Sequence, residues 1–480
     1  MKILYATSEA APYWRTGGLA DVSRALPDAL VSRGLDVHIV HPWYPAVATQ
    51  SLELESMGDI AVPWPGAAIQ ARLLLHRAAG RAPAIFVDHP YFFDTDRPYD
   101  PRGADKYAHV RRFAFFSRAV LEVARKLGVD AIHLNDWPTG LVAAYALGDD
   151  GAPATVFAIH NLAHQGNFPP SLLPEIGVPT ALYRIENGVE FHGQASCMKA
   201  GLALADRLVT VSPTYAKEIQ TLEYGAGFDG LLRFRRRQLH GILNGIDTHT
   251  WTPSADPHIP APFSADDLSG KAENRKRLLR DLKLDGKGPL VAMVGRLAHQ
   301  KGVDLVIDAL PRLLRRKARL VVLGDGDPDY QDTLALAAAA HPRRVATILG
   351  FDDPMAHRLF AAADFFLMPS RFEPCGLGQM IAQRYGTIPI VRSTGGLVDT
   401  VEDGVTGYTF AKPDAGALVA AAYRAFAAWR TETDVEMRIR CMRLDRSWDA
   451  SAALYERVYS MALGRLDYPS KDAAAEPGAP

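Results

Sequence analysis

Cysteine is scarce in this sequence: three in 480 residues, Cys197, Cys375 and Cys441. They lie far apart and form no CxxC pair, which excludes a zinc ribbon and a disulfide framework. Long apolar runs are also missing. No stretch approaches the roughly 18 uninterrupted apolar residues of a membrane span, so no membrane partner is expected. The opening Met1-Lys2-Ile3-Leu4-Tyr5 reads as a strand and not as a signal peptide, because Ser8 and Glu9 cut the apolar run short. Charge of one sign is not in excess either: Lys plus Arg is 53, Asp plus Glu is 54, and the net is −1. A chain without a positive field has no global means of holding a nucleic-acid backbone, so no nucleic-acid partner is expected. Any anion must be gripped by a few local cations. No repeat of 20 to 50 residues is visible, which excludes a solenoid. These absences point to a cytoplasmic protein with reduced thiols.

What is present is a globular composition, 48% hydrophobic and 22% charged, over a length that suits about three domains or two large ones. Short β-rich runs alternate with helical periodicity, the pattern of parallel sheets covered on both faces. The first series predicts strands at 3–6, 37–40, 84–87, 131–134, 155–159 and 208–211, with helices over 19–32 and about 112–127. A second series starts near residue 288, with strands at 289–294, 319–323, 345–349, 365–368 and 387–391 and helices between them. A connector rich in Pro and Asp joins the two around 252–267. The expected division is an α/β domain over 1–245, a second over 246–447, a helix over 448–469, and a disordered tail over 470–480.

Open parallel sheets bind ligands beyond the carboxyl ends of their strands, and the chemically loaded residues fall there. Arg15-Thr16-Gly17-Gly18-Leu19-Ala20-Asp21 joins the first strand to its helix. Its glycines let backbone approach a phosphate or sugar, with Asp21 alternatively serving only the helix dipole. His160-Asn161 directly follows an apolar strand. Gly295-Arg296 to Lys301-Gly302 sets two cations at one strand end and helix start, a placement suited to a departing nucleoside diphosphate. Ser370-Arg371-Phe372-Glu373-Pro374-Cys375-Gly376-Leu377 follows another strand. There Pro374 suits a first helical turn, Glu373 can accept bonds from sugar hydroxyls, and Cys375 reads as a packed residue. Gly225 to Gly230 fits GxGxxG, but a helical stretch precedes it, so the dinucleotide reading fails. The Asp-x-Asp pairs at Asp94 and Asp325 bring no third ligand nearby, so no metal is expected.

These motifs, together with His133-Leu-Asn-Asp136-Trp137, Phe191-His192-Gly193-Gln194, Lys199-Ala200-Gly201-Leu202, Leu243-Asn244-Gly245-Ile246-Asp247 and Thr394-Gly-Gly-Leu397, resemble in content and order the bacterial glycogen synthase and plant starch synthase family, from Met1 to about Tyr459. The resemblance implies an α/β chain of GT-B architecture. In that fold two Rossmann-like domains, acceptor side first and nucleotide-sugar side second, face each other across a deep cleft, and the last helix returns to the first domain. It implies transfer of glucose from ADP-glucose to the non-reducing end of an α-1,4-glucan such as glycogen, with retention at the anomeric carbon and no cofactor. By the same resemblance Arg296 and Lys301 neutralise the diphosphate, Glu373 orients glucose, and His160 sits beside the anomeric centre. Asp136, Asn161 and Asn244 contact glucose, acceptor or phosphate. Gly18 and the backbone of Cys375, Gly376 and Leu377 approach phosphate or hydroxyls, Phe351 stacks on the base, and Asp21 and Thr394 line the substrate. Arg15 stands where the family commonly has Lys, and His164 where Tyr is frequent. ADP or UDP as carrier, the number of subunits, and same-face attack or double displacement stay open. So do a small acceptor and a silent binding protein as alternatives.

Overall fold

Residues 1–100 and 105–465 are described by a computed structural model; the expected tail over 470–480 and the end of the expected final helix lie outside them. The chain forms two compact units. The first comprises Met1–Val211, Ala216–Ile242 and the segment from Trp448 onward, and the second Ser212–Tyr215 and Leu243–Ser447.

The strands of the first unit begin with β1 (Lys2–Ala6), β2 (Asp36–Pro42), β3 (Leu54–Val62), β4 (Ile69–His76), β5 (Ala84–Asp88), β6 (Ala131–Asn135) and β7 (Ala154–Ile159). Three short strands follow, β8 (Asn167–Phe168), β9 (Glu190–Phe191) and β10 (Gln194–Ser196), then β11 (Arg207–Thr210) and β12 (Leu239–Gly241). The large sheet runs β12-β11-β7-β6-β1-β2-β5-β4-β3, and β8-β10-β9 form a small separate sheet. From β12 to β5 the pairs are parallel, and β1 and β6 are buried almost end to end, as strands covered on both faces must be. The wholly parallel sheet predicted from the pattern is corrected at one edge, where β3 and β4 form an antiparallel hairpin on β5. Helix Gly18–Ser32 and helix Asp449–Ala462 close one face, with Leu26, Leu30, Trp448, Tyr455 and Tyr459 in a core with Ile3 and Tyr5 of β1. The returning helix therefore belongs to the first unit's core.

The second unit is a parallel sheet of β13 (Leu290–Val294), β14 (Arg319–Gly324), β15 (Val345–Leu349), β16 (Phe365–Met368), β17 (Ile388–Arg392) and β18 (Tyr408–Phe410). Its order is β15-β14-β13-β16-β17-β18. Chain order reverses between β13 and β16, and in the first unit between β1 and β6. At such switch points loops diverge to opposite faces and leave a crevice at the carboxyl ends. No helix among the described residues is long and apolar enough to cross a membrane.

Candidate active site

In the second unit the loops after β13 and β16 meet at the switch point. Gly302 has φ +67°, and a Cβ built on it would lie 2.2 Å from the Pro369 carbonyl oxygen. Only glycine lets the two loops touch there. Lys301 Nζ donates to Glu373 Oε2 at 2.6 Å, and the buried Ser370 hydroxyl donates to the same oxygen at 2.8 Å. Oε1 of Glu373 has no partner among the described residues and is the oxygen left for a ligand hydroxyl. Arg371 braces the arrangement. Its guanidinium grips Asp304 through both carboxylate oxygens at 2.7 and 2.6 Å and donates to the His299 carbonyl at 3.0 Å. Its backbone N–H donates to the Gln300 carbonyl at 2.8 Å, while the Gln300 amide returns a bond to the Phe372 carbonyl.

The two cations expected on one anion thus differ in state. Lys301 is ion-paired and mostly shielded. Arg296 is exposed, and its guanidinium has no partner among the described residues. Cys375 is buried, and burial pushes its thiol up to about 12, so it is a packed residue and no nucleophile. Pro374 does not open a helix as expected. The helix spans Gly378–Arg384, because Gly376 at φ +76° takes the backbone out of the helical region first. The amides of Cys375, Gly376 and Leu377 therefore belong to an irregular loop ahead of the helix. Gly396 packs its backbone on Cys375, where an added Cβ would lie 2.4 Å from the Cys375 carbonyl oxygen. That contact brings buried Thr394 to the same loop. Asn244 is buried beside Cys375, its backbone hydrogen-bonding the thiol, and its Oδ1 is buried without a partner among the described residues. Such an orphan acceptor suits a ligand donor. Phe351 lies after β15, two strands from β13, and its ring is 74% exposed.

In the first unit Asp136 ends β6 at φ +54°. Its Oδ1 accepts the backbone N–H groups of His160 at 2.7 Å and Asn161 at 3.3 Å, which ties the ends of β6 and β7. Burial dominates over those bonds and pushes the carboxyl up to about 7. The imidazole of His160 meets Asn135 Oδ1 at 2.8 Å through Nε2, while the Asn135 amide nitrogen donates to the Ala6 carbonyl at 2.8 Å. That second bond fixes the Asn135 amide, so Nε2 of His160 carries the proton and Nδ1 keeps its lone pair. Desolvation lowers His160 to about 4, so its ring is neutral at physiological pH. Gly18 opens helix Gly18–Ser32, where its N–H has no intrahelical acceptor. Arg15 is exposed, its guanidinium 3.9 Å from Asp21, which lies in the helix's first turn. The amide of Gly17, one of the glycines expected to let backbone approach a ligand, is instead taken by Glu9 at 3.2 Å, as is that of Thr16 at 2.7 Å. Glu9 also accepts from the Thr16 hydroxyl and from Tyr99 at 2.6 Å.

The structure thus gathers Lys301, Glu373, Asn244, Thr394 and Cys375 to Leu377 in one unit, with Arg296 on the same β13 loop, and Asp136, His160 and Asn161 in the other. Glu9, Asn135, Ser370, Arg371 and Asp304 are structural partners that sequence reasoning missed. Asn135, Ser370 and Arg371 left a signal, since they lie within the marked motifs. Asp325 bonds the Gln331 amide and Asp327 caps the next helix. Among the described residues no group of three or more His, Cys, Asp or Glu is placed to hold a metal.

Known proteins with this architecture carry related chemistry. Residues 2–234 match the family described as starch synthase catalytic domain, and residues 274–439 that of glycosyl transferases group 1. A glycogen synthase of Anaeromyxobacter dehalogenans is 47% identical, covering 96% of this chain and 99% of its own. The catalytic domain of starch synthase IV from Arabidopsis thaliana, solved bound to ADP and acarbose, superposes with a TM-score of 0.88 at 32% identity, covering 97% of this chain and 99% of its own. A sucrose-phosphate synthase from Thermosynechococcus elongatus, 20% identical with a TM-score of 0.64 over 97% of this chain and all of its own, shares the fold.

Proposed function

This chain belongs to the glycogen and starch synthase family, a GT-B glycosyltransferase, and we propose from that premise that it moves glucose from ADP-glucose to the non-reducing end of an α-1,4-glucan, with retention at the anomeric carbon. The observation that carries the reading is the Lys301–Glu373 pair at the β13/β16 switch point, a cation and a sugar-directed carboxylate locked together by Arg371 and Ser370.

Breaking the bond from C1 to the diphosphate leaves charge on the departing oxygens. Arg296 and Lys301 neutralise it, and Glu373 Oε1 accepts from a glucose hydroxyl while Oε2 holds Lys301. The buried Oδ1 of Asn244 and the amides of Cys375 to Leu377 take further hydroxyl or phosphate groups. On the first unit Asp136 and Asn161 bind glucose or acceptor, and the main-chain carbonyl of neutral His160 steadies positive charge at the anomeric carbon. Glu373 is engaged through Oε2 by Lys301 and Ser370, and Asp136 through Oδ1 by two amides, which disfavours both as nucleophiles. We favour same-face attack, in which the acceptor hydroxyl bonds to C1 and passes its proton to the departing phosphate. Cations replace a metal in this reading, so transfer persists after chelation. Three buried, unpaired thiols fit a cytoplasmic site for it.

Incubation with labelled ADP-glucose or UDP-glucose and glycogen tests the reading. Labelled polymer, strongest from ADP-glucose, is expected, and Lys301→Ala should cut kcat by about 10²- to 10³-fold. Absence of incorporation into any polymer would assign the chain a small acceptor instead.

A further inference from the structure

The amides of Cys375, Gly376 and Leu377 sit between β16 and helix Gly378–Arg384, where no helix or strand fixes their direction. A trans peptide is planar, and its carbonyl and N–H point opposite ways. Whatever holds the carbonyls of Pro374, Cys375 and Gly376 therefore aims the N–H groups of the residues that follow them. Each of these carbonyls is gripped by a side chain to which no role has yet fallen. The Gln379 amide nitrogen donates to the Cys375 carbonyl at 3.1 Å and to the Gly376 carbonyl at 2.9 Å. It also donates to the Thr400 hydroxyl at 3.0 Å, which in turn bonds the Gly396 carbonyl at 2.6 Å. Three acceptors around one nitrogen settle which end of that amide carries the hydrogens. The Pro374 carbonyl accepts the Ser212 hydroxyl at 2.7 Å and the Gly396 N–H at 3.2 Å. None of the three N–H groups aimed in this way is spent on another backbone group among the described residues. Gly376 at φ +76° followed by Leu377 at φ −108° supplies the alternation of hand that turns successive N–H groups into one concavity.

Ser212 reaches this loop from a distant part of the chain. It follows β11 of the first unit, yet Ser212–Tyr215 belongs to the second unit, while Val211 and Ala216 on either side belong to the first. So short an excursion needs its own anchor. Thr214 donates from its backbone N–H to Asp399 Oδ2 at 2.9 Å and from its hydroxyl to Oδ1 at 2.7 Å. Asp399 lies on helix Gly396–Thr400, whose first residue packs on Cys375. The Tyr215 N–H donates to Ser212 Oγ at 3.1 Å, which leaves the hydroxyl hydrogen for Pro374. Ser212 and Gln379 are both fully buried, so water cannot take over either grip once the side chain is removed.

We propose that Gln379 and the Ser212–Tyr215 strap, locked by Thr214 and Asp399, are positioning residues for the donor. They hold three successive carbonyls from behind, so that the amides of Cys375, Gly376 and Leu377 face the diphosphate and sugar together. None of them touches substrate. The proposal rests on the reading of those amides as donor-binding groups of a glucose transferase.

The test compares full-length Ser212→Ala, Gln379→Met and Thr214→Val with wild type, using ADP-glucose and glycogen, with ADP as inhibitor. In the first two variants kcat/KM for ADP-glucose should fall about 5- to 30-fold, and inhibition by ADP should weaken about as much. The KM for glycogen should stay within about twofold. Thr214→Val is nearly isosteric and only half-buried, which keeps the test decisive should loss of a buried partner disturb folding. It should lower kcat/KM for ADP-glucose about 2- to 5-fold, and Thr214→Ser, which keeps the hydroxyl, should restore it. Unchanged donor constants and ADP inhibition in Ser212→Ala and Gln379→Met would overturn the proposal. An effect in Gln379→Met alone would overturn the strap's part in it. A rise of equal size in the glycogen KM would overturn it too, by showing general loosening and not a lost aim. If the wild type elongates no acceptor, the transferase reading fails separately. Calorimetric titration with ADP then decides the positioning role: binding weakened in Ser212→Ala and Thr214→Val supports it, and equal or absent binding refutes it.

Discussion

Asp136 and four buried histidines of the same unit carry opposite protonation demands. Burial lowers His133 to about 3 and His41, His160 and His240 to about 4, so their folded forms resist a proton that the unfolded chain accepts near pH 6.5. Their contribution is complete above that pH and fades as pH falls toward 4. Asp136 runs the other way. The folded carboxyl holds its proton up to about pH 7, whereas the unfolded one releases it near 3.8. Its contribution is complete in acid and fades as pH rises through 7. Asp136→Asn keeps an oxygen for the His160 and Asn161 amides but cannot ionise. The melting temperature of this variant, measured relative to wild type from pH 4 to 8, should therefore increase with pH. A difference that stays flat would show that Asp136 is ionised throughout in the folded protein.

The loop between β13 and helix Val303–Arg315 shows how one element sets the chemistry of another. Gly302 combines a left-handed backbone with backbone atoms 2.2 Å from any added Cβ, whereas Gly295 at φ +147° has open space around it. Gly302→Ala should cost about 1–3 kcal/mol in urea unfolding and lower transfer by at least about tenfold, because Lys301 is its neighbour. Gly295→Ala should be milder in both measurements; equal effects would mean that the Gly302–Pro369 approach is immaterial. The elements that bear these loops were legible in the sequence, since a parallel strand buried on both faces is a continuous apolar run, as in Leu290–Val294 or Phe365–Met368. The β3–β4 hairpin was not. Leu54–Val62 carries Glu55, Ser56, Gly58 and Asp59 and is largely exposed, so no apolar run marks it. The two- and three-residue strands of the small sheet fall below any periodicity. At the site, Lys301 and Glu373 stood out separately, but their bond spans 72 positions and depends on β16 lying beside β13. Glu9 closing on Thr16 and Gly17 was hidden for a related reason: the turn that brings them together has no regular spacing.

At the scale of the whole chain, each unit has its own core, and the last helix belongs to the first. Trp448, Ala452, Tyr455, Val458, Tyr459 and Met461 pack with Ile3, Tyr5, Val22 and Leu26. The Tyr459 hydroxyl bonds His133 Nδ1 at 2.9 Å, and the His133 ring stacks on Tyr5 at 4.5 Å. That stack underlies the carboxyl ends of β1 and β6, where Asn135 and Asp136 begin the candidate site. Cutting Tyr459 to Ala removes a fully buried ring, a change that costs about 3–5 kcal/mol for a large aromatic side chain, and it frees the imidazole of its partner. The second unit's core, built from residues such as Val306, Leu320, Phe365 and Met437, shares no side chain with it. Amide exchange in Tyr459→Ala should therefore quicken in β1, β2, β6 and β7 and stay at the wild-type rate in β13, β14, β16 and β17. Quickening of equal size in both sets would show that the units unfold as one, and that the returning helix stabilises the entire chain instead of the sheet it covers.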